Sequence, residues 1–489
     1  MNPTSASFPR ISKALAAMTA ASLILSAGCA VGPEYSPPKT GMPDAFSSVG
    51  DVNESGPGTR GASTDAADTA RWWERFGDPA LTRLVERSLA SNHDVRLAVE
   101  RLDEARAAVG LARSDELPAV SASGSATRSR GSSNTAGPFK SDENDSYSIG
   151  VGASWEPDFF GRIRRGVEAA AADLDAAGES VNDARVLVAA EVVRRYSDLR
   201  GAQQRLDVAR RAIAVRQQTL DLVNSMVKAG LSAEFDVAQA QAELSSRQAA
   251  VPSLEATIRQ NAHSIAVLTG EAPGSLVQTL AASGPIPAAP GVLAVGAPAD
   301  LLMRRPDLRR AERAIAAATA RVGVATADLY PRFTILGSFS LEASNPGDLY
   351  DLSSRSYSFG PGVSWSVFNN GKVRSGIAAA DSRARQSLIS YDKAVLTALR
   401  EAEDALVGLG KEQDRLASLS QSVASNRRAV ELAESLYKSG LSSLTPVLDN
   451  QRRLYEAEDQ FVLGQLAVTE RVVDTYKALG GGWEPPTSR

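Results

Sequence analysis

The sequence predicts a mostly α-helical chain with a membrane β-sheet, made of one unit duplicated in tandem. Each copy joins two membrane-length β-strands to a helix of nearly seventy residues. Three observations predict this. A repeat runs through the chain: "VKAGLSAEFDVAQAQ" (227–241) returns as "YKSGLSSLTPVLDNQ" (437–451), with Gly230-Leu231-Ser232 and Gly440-Leu441-Ser442 lying 210 residues apart. Residues ahead of each long helix alternate apolar side chains with Ser or Gly, the period of a strand with one apolar face. Between Gly161 and Gly230, and between Gly371 and Gly440, 69-residue stretches carry heptad lines and few breakers.

Composition narrows the function classes. The net charge of −4 comes from 53 basic and 57 acidic residues, so nothing points to nucleic acid. The two histidines, His93 and His263, are 170 residues apart, and no other ligand-type residue is placed to make a metal site with either. One cysteine excludes an intrachain disulfide. No Ser/His/Asp set, phosphate-binding glycine loop or metal-ligand cluster is present at motif spacing, so no catalytic residue and no cofactor is expected.

The N-terminus reads as an export signal over 1–28. Arg10 and Lys13 precede an apolar run from Ala14 to Ala27, whose fourteen residues fall short of the roughly 20 a spanning helix needs. Cleavage before Cys29 would leave a cysteine at the mature N-terminus, which resembles a bacterial lipobox, although Ser26 stands where Leu is usual. An ordinary signal peptide with an incidental cysteine is the alternative; lipidation of Cys29 is the expectation. Residues 29–70 then form an anchored extension and linker, rich in Pro, Gly, Ser, Thr and Asp over 36–70.

The first repeat unit is expected over 71–270, with strands at 118–127 and 146–156, a helix at 162–229 and a tip at 228–236. The second occupies 300–480, with strands at 331–341 and 355–367, a helix at 372–439 and a tip at 438–446. Residues 271–299 link them and 481–489 form a tail. "YSIGVGASWEPDFFGRIRRG" (147–166) matches "YSFGPGVSWSVFNNGKVRSG" (357–376) at offset 210, but "LPAVSASGS" from Leu117 matches "YPRFTILGS" from Tyr330 at offset 213. The register change falls in the loop between strands. Each strand has about the ten residues of a tilted membrane strand. Four strands do not close a barrel, and lipid does not tolerate an open sheet edge. Membrane strands must therefore be shared among several chains. Three chains would supply twelve; the residues alone leave that number, and a soluble sandwich, open.

The helices follow from the heptads. Val167, Leu174, Val181 and Val188 continue, after a four-residue stutter, as Val192, Leu199, Leu206, Ile213, Leu220 and Val227. Ala402, Leu409, Leu416, Val423, Val430 and Tyr437 form the matching late line. At 1.5 Å per residue each helix would reach about 100 Å. Gly230 and Gly440 would end them in a left-handed turn, and returning helices are expected from about Ala233 to Thr269 and from Pro446 to Leu479.

This organisation resembles the outer-membrane factor (TolC-like) family, in its lipoprotein branch serving resistance–nodulation–division efflux systems. "LLMRRPDLRRAERAIAAATARVGVATADLYPRF" (301–333), "VGPEY" (31–35) and "WWERFGDPAL" (72–81) carry the resemblance, which covers nearly the whole mature chain. It implies a homotrimer: a twelve-stranded outer-membrane β-barrel continued by a periplasmic α-helical barrel, with an equatorial belt from 271–299 and the termini. It implies a passive channel, lipid-anchored in the bacterial outer membrane. A periplasmic adaptor and an inner-membrane pump would supply it with drugs or other small solutes. The exit duct of a type I secretion system is the alternative. "RRPD" reads as structural, Pro306 starting a helix and Asp307 near its positive end.

The resemblance also implies sites. Gly230, Leu231, Gly440 and Leu441 would meet the adaptor. Tyr437, Thr445 and Asp449, with Asp236 from the first tip, would frame the periplasmic aperture. Thr445 and Asp449 are four apart and share a helical face, so three copies would set an acidic ring there that favours cations. Ser442 stands where the family's type member has an arginine, which leaves packing around Tyr437 as the expected closure.

Overall fold

The computed structural model describes residues 30–50, 62–63, 69–132, 143–289 and 293–484. The signal peptide and Cys29 lie outside the described residues. The chain is mostly helical, with helices α1 (Pro79–Ser91), α2 (His93–Ser114), α3 (Arg162–Lys228), α4 (Glu234–Gln248), α5 (Ala250–Leu268), α6 (Asp300–Arg304), α7 (Pro306–Ala327), α8 (Lys372–Lys438) and α9 (Leu444–Ala478). The strands are β1 (Ala62–Ser63), β2 (Ala119–Arg130), β3 (Glu143–Trp155), β4 (Leu293–Ala294), β5 (Arg332–Ala343) and β6 (Arg355–Ser364). Among the described residues no helix is long and apolar enough to cross a membrane.

Two compact units divide the chain. The first holds the chain up to Pro38, Leu102–Ala177 and Ala311–Tyr391. Its centre is an antiparallel sheet in the order β2-β3-β5-β6, so the two hairpins join through β3 and β5. The register brings every alternation into phase. Val151 pairs with Ala122 on one side and Phe339 on the other, and Phe339 pairs with Tyr357. One face thus carries Val120, Tyr147, Ile149, Val151, Phe339, Leu341, Tyr357, Phe359 and Val363. The opposite face carries mostly Ser and Gly, beside Thr334, Leu336 and Glu342, with Ser125 and Ser148 hydroxyls 2.9 Å apart and those of Ser338 and Ser358 2.8 Å apart. β6 ends at Ser364, three residues short of the expected strand, because its partner β5 begins at Arg332 opposite it. β2 runs on to Arg130, where Arg128 bonds Glu143 at 2.8 Å across the ladder.

The duplication is visible atom by atom. Trp155 Nε1 donates to the Glu116 carbonyl at 3.0 Å, and Trp365 Nε1 donates to the Leu329 carbonyl at 3.0 Å. Each tryptophan locks the foot of its hairpin to the end of the preceding helix. "VGPEY" packs on this unit: Gly32, at φ 94°, lies against Gly323 so closely that a Cβ would fall 2.5 Å from its Cα. Tyr35 donates to Glu312 at 2.7 Å, beneath the Arg313 guanidinium.

The second unit holds Lys39–Arg101, Gly178–Arg310 and Asp392–Arg489. Trp72, Trp73 and Phe76 are buried, and Trp72 stacks on Tyr476 with centroids 5.0 Å apart. Asp78 caps α1 by accepting from the Ala80 and Leu81 amides, and takes the Tyr196 hydroxyl at 2.7 Å. Burial pushes the Tyr196 phenol up to about 12, and the Asp78 bond adds to this. Three expectations change here. Residues 481–484 are not a tail: Gly480 at φ 73° turns the chain back, and Trp483, 7% exposed, donates to the Arg304 carbonyl at 2.9 Å. The linker is tied down before residue 51, where Phe46 is buried and Glu403 accepts from the Ser47 and Ser48 amides at 2.7 and 2.9 Å. The first returning helix is split at Ala249 into α4 and α5. Pro252 is the reason, since it has no N–H to give the carbonyl one turn earlier.

Candidate functional site at the helical tips

Both long helices end alike. The Gly230 amide donates to the Val227 carbonyl at 2.9 Å and the Leu231 amide to that of Met226 at 2.8 Å. Gly440 donates to Tyr437 at 3.0 Å and Leu441 to Leu436 at 2.9 Å. These paired bonds form the Schellman motif, which requires a left-handed residue, and Gly230 and Gly440 have φ 75° and 73°. The residue after that glycine commonly packs back on the helix. Leu231 and Leu441 do not, being 73% and 76% exposed.

Tyr437, by contrast, is buried. It packs with Val223, Ala433, Leu444, Val447 and Leu448, flanked by Met226 and Val237, so one cluster joins both tips. Burial pushes its phenol pKa up; Ser232 draws it back and the Asp236 charge adds a further upward push. Asp236 therefore lies near Tyr437, but its carboxylate also caps its own helix, accepting from Ser232 Oγ and, at 3.4 Å, from the Ala233 amide. Thr445 is exposed on the first turn of α9. Asp449, one turn on, is held by Arg452 at 2.7 Å and Arg453 at 3.1 Å. The Arg452 hydrogen bond is the main cause that keeps its carboxyl below the usual range. The structure brings Tyr437 and Asp236 together, and places Thr445 and Asp449 on a different, open surface of the second tip.

Two features escaped the reading of the sequence. Phe235, 73% exposed like Leu231, lies in the first turn of α4, at the position where the second repeat has Thr445. An aromatic in the first turn of an Ala-rich helix was the available signal. Farther along, Arg216 is buried to 2% exposure and Gln451 to 6%. Gln451 donates to Glu434 at 3.0 Å and Thr219 at 3.2 Å. Neither was legible, because a polar residue carries no apolar periodicity to mark it as buried. Among the described residues no group of His, Cys, Asp and Glu could hold a metal ion.

The model of the family "Outer membrane efflux protein" matches residues 84–271 and 297–481. The chain is 35% identical to "Nodulation protein T" of Rhizobium leguminosarum bv. trifolii, over 95% of this chain and 96% of that one. It is 30% identical to "Toluene efflux pump outer membrane protein TtgI" of Pseudomonas putida, over 94% and 97%. The solved outer-membrane channel OprN superposes with a TM-score of 0.85 at 35% identity, covering 93% of this chain and 100% of that one. The chain belongs to the outer membrane efflux protein family, whose members are the outer-membrane channels of tripartite efflux pumps.

Proposed function

We propose that three copies of this chain form one passive duct, a twelve-stranded barrel in the outer membrane continued by a helical barrel in the periplasm. The observation that carries this reading is the in-phase sheet. Its apolar face is open, with Tyr357 82% and Phe359 80% exposed, and its other face is mostly Ser and Gly, with Thr334 and Leu336 between them. That is the outward-apolar, inward-polar pattern of a membrane barrel. β2 and β6 leave two open edges, which lipid does not tolerate and which further copies would close. On the helices, Leu396 at 68% exposure and Leu432 at 49% supply apolar surface for the same association.

The periplasmic adaptor would dock on Gly230, Leu231, Gly440 and Leu441. The inner-membrane pump would choose the solute, since a Ser- and Gly-lined lumen offers little to discriminate with. Drugs and other small solutes are the cargo class. Relatives named for toluene efflux and pyoverdine export point to efflux rather than protein secretion. Deleting the gene should sensitise cells to a set of drugs, and the purified protein should insert as a trimer that conducts in planar bilayers. A protein that neither conducts nor changes sensitivity would overturn the reading.

Anchoring through Cys29 is part of the proposal. The mature protein should begin at Cys29 and carry the mass of three acyl chains; an intact mass that matches cleavage elsewhere would remove the anchor. Cys29→Ala should weaken anchoring and leave the trimer formed, because the barrel is a second attachment.

At the aperture, Tyr437→Ala should raise the resting conductance, since it empties the cluster that joins the tips. Asp449→Ala should shift the reversal potential towards anions, because it leaves Arg452 and Arg453 without their shared carboxylate. Unchanged currents in both would place the entrance elsewhere.

A further inference from the structure

The corners that follow β3 and β6 are built alike and covered differently. In the first, Phe159 meets Phe333 edge-on with ring centroids 5.1 Å apart, Phe160 stacks on Tyr330 at 4.5 Å, and Pro157 is buried. In the second, Trp365 still bonds the Leu329 carbonyl, but Val367, 210 residues beyond Pro157, is 75% exposed. The first corner is covered because β3 has β5 beside it. The second has an open edge beside it, since β6 is the last strand of its sheet.

The duplication indicates what belongs at that edge. Ala119 pairs with Ser154, and the residues 213 and 210 positions further on, Arg332 and Ser364, pair in the same way. The two offsets therefore carry one hairpin's register onto the other without a slip. The join between the hairpins can be carried in turn. There Val151 pairs with Phe339, Ser154 with Leu336 and Trp155 with Ile335. Moved forward by 210 on β3 and back by 213 on β5, these become Pro361 with Ala126, Ser364 with Ser123 and Trp365 with Ala122. Within one chain β3 and β5 stand between β2 and β6 and keep these residues apart. Between two copies nothing does.

The chemistry of the edges agrees with this register. Tyr357 and Phe359 fall opposite Arg130 and Arg128, on the face that carries Val120, and a guanidinium beside an exposed ring is favourable. A shift of one residue would set that face against the Ser and Gly face. β6 gains one residue and ends at Trp365, just as β3 ends at Trp155. Val367 comes level with Val120, which is 74% exposed, so two apolar side chains left open in the single chain cover each other.

We propose that β6 of one copy pairs with β2 of the next with Ser364 opposite Ser123, and that the corner at Val367 seats on Val120 of that copy. This pairing rests on the shared-barrel reading above, and it names the residues that meet. The difference between the corners then has a reason: one is covered from within the chain, the other by a second copy.

Cysteine pairs in the purified full-length protein read the register directly. Opposed residues sit about 4.5–5.5 Å apart, close enough for a disulfide, and diagonal neighbours about 7–8 Å apart, too far. Ser364→Cys with Ser123→Cys should oxidise to a covalent trimer on a non-reducing gel. Ser364→Cys with Ser121→Cys, or with Ser125→Cys, should give at least tenfold less, and the Ser364→Cys single variant controls for Cys29. All four serines are exposed, so no variant empties a core. Val367→Asp should lower the trimer content in detergent at least twofold at equal protein concentration. Stronger cross-linking of a shifted pair overturns the register, and an unchanged trimer content in Val367→Asp overturns the seat. A conducting trimer that cross-links through none of the three pairs overturns the edge pairing and leaves the channel reading standing. A wild-type protein that forms no trimer removes both.

Discussion

Leu231→Asp combined with Leu441→Asp is expected to reduce drug resistance to the level of a strain lacking the gene, with the trimer intact. The argument starts from the turns. Both leucines use only backbone amides to close the Schellman bonds, and aspartate keeps that amide. Their side chains are 73% and 76% exposed, so folding stability should move by no more than about 0.5 kcal/mol. Six new carboxylates on a trimer, at an apolar contact, would strongly disfavour docking of a helical partner. The measurement is drug susceptibility beside trimer content and thermal unfolding of the same variant. Resistance that survives would mean the adaptor does not dock there. A trimer that falls apart would mean the leucines pack between copies.

Much of the fold was legible because its determinants are local. Alternation in Tyr147–Trp155 and Tyr357–Val363 marks one face of a strand whatever its neighbours are. Gly230 and Gly440 sit at positive φ for a reason confined to five residues. The duplication itself is written in the offsets of 210 and 213, and the structure repeats it in the contacts of Trp155 with Glu116 and of Trp365 with Leu329. Legibility fell where partners come from distant sequence. The β3–β5 pairing, which turns two hairpins into one sheet, has no local signal. Asp449 shows a different failure. Arg452 and Arg453 stand three and four residues on, so their pairing with it is a local signal, and the charge expected to act alone there is paired in the structure. Pro252 was also in plain view. An Ala-rich pattern that continues on both sides of it hid a kink that one missing N–H explains.

Arg305→Ala should cost about 3–5 kcal/mol of unfolding free energy, the range for removing one partner of a buried ion pair. Arg305 is 8% exposed and forms a hub. It grips Asp307 with two hydrogen bonds of 3.0 and 2.7 Å, reaches Glu401 at 2.8 Å and donates to the Ala478 carbonyl at 3.0 Å. Alanine would leave the Asp307 carboxylate half-buried beside Glu401, with the last turn of α9 missing an anchor. Lysine would keep one charge but not the two-pronged grip, so Arg305→Lys should lose a smaller part. Removing both charges, as Arg305→Met with Asp307→Leu, should lose less than alanine alone, because no uncompensated Asp307 charge remains. The pH dependence has a definite sign. Burial pushes Asp307 up, but the Arg305 bonds outweigh it and hold the carboxyl below its ordinary 3.8. A group whose pKa falls on folding contributes its stability above the unfolded value and loses it as pH drops through the folded one. The Arg305→Ala penalty should therefore be full above about pH 5 and shrink towards pH 2. Thermal unfolding of the three variants at pH 7, and of wild type and Arg305→Ala across pH 2–7, checks both parts. An alanine variant as stable as wild type, or a penalty that grows in acid, would show that "RRPD" is not the clamp its geometry describes.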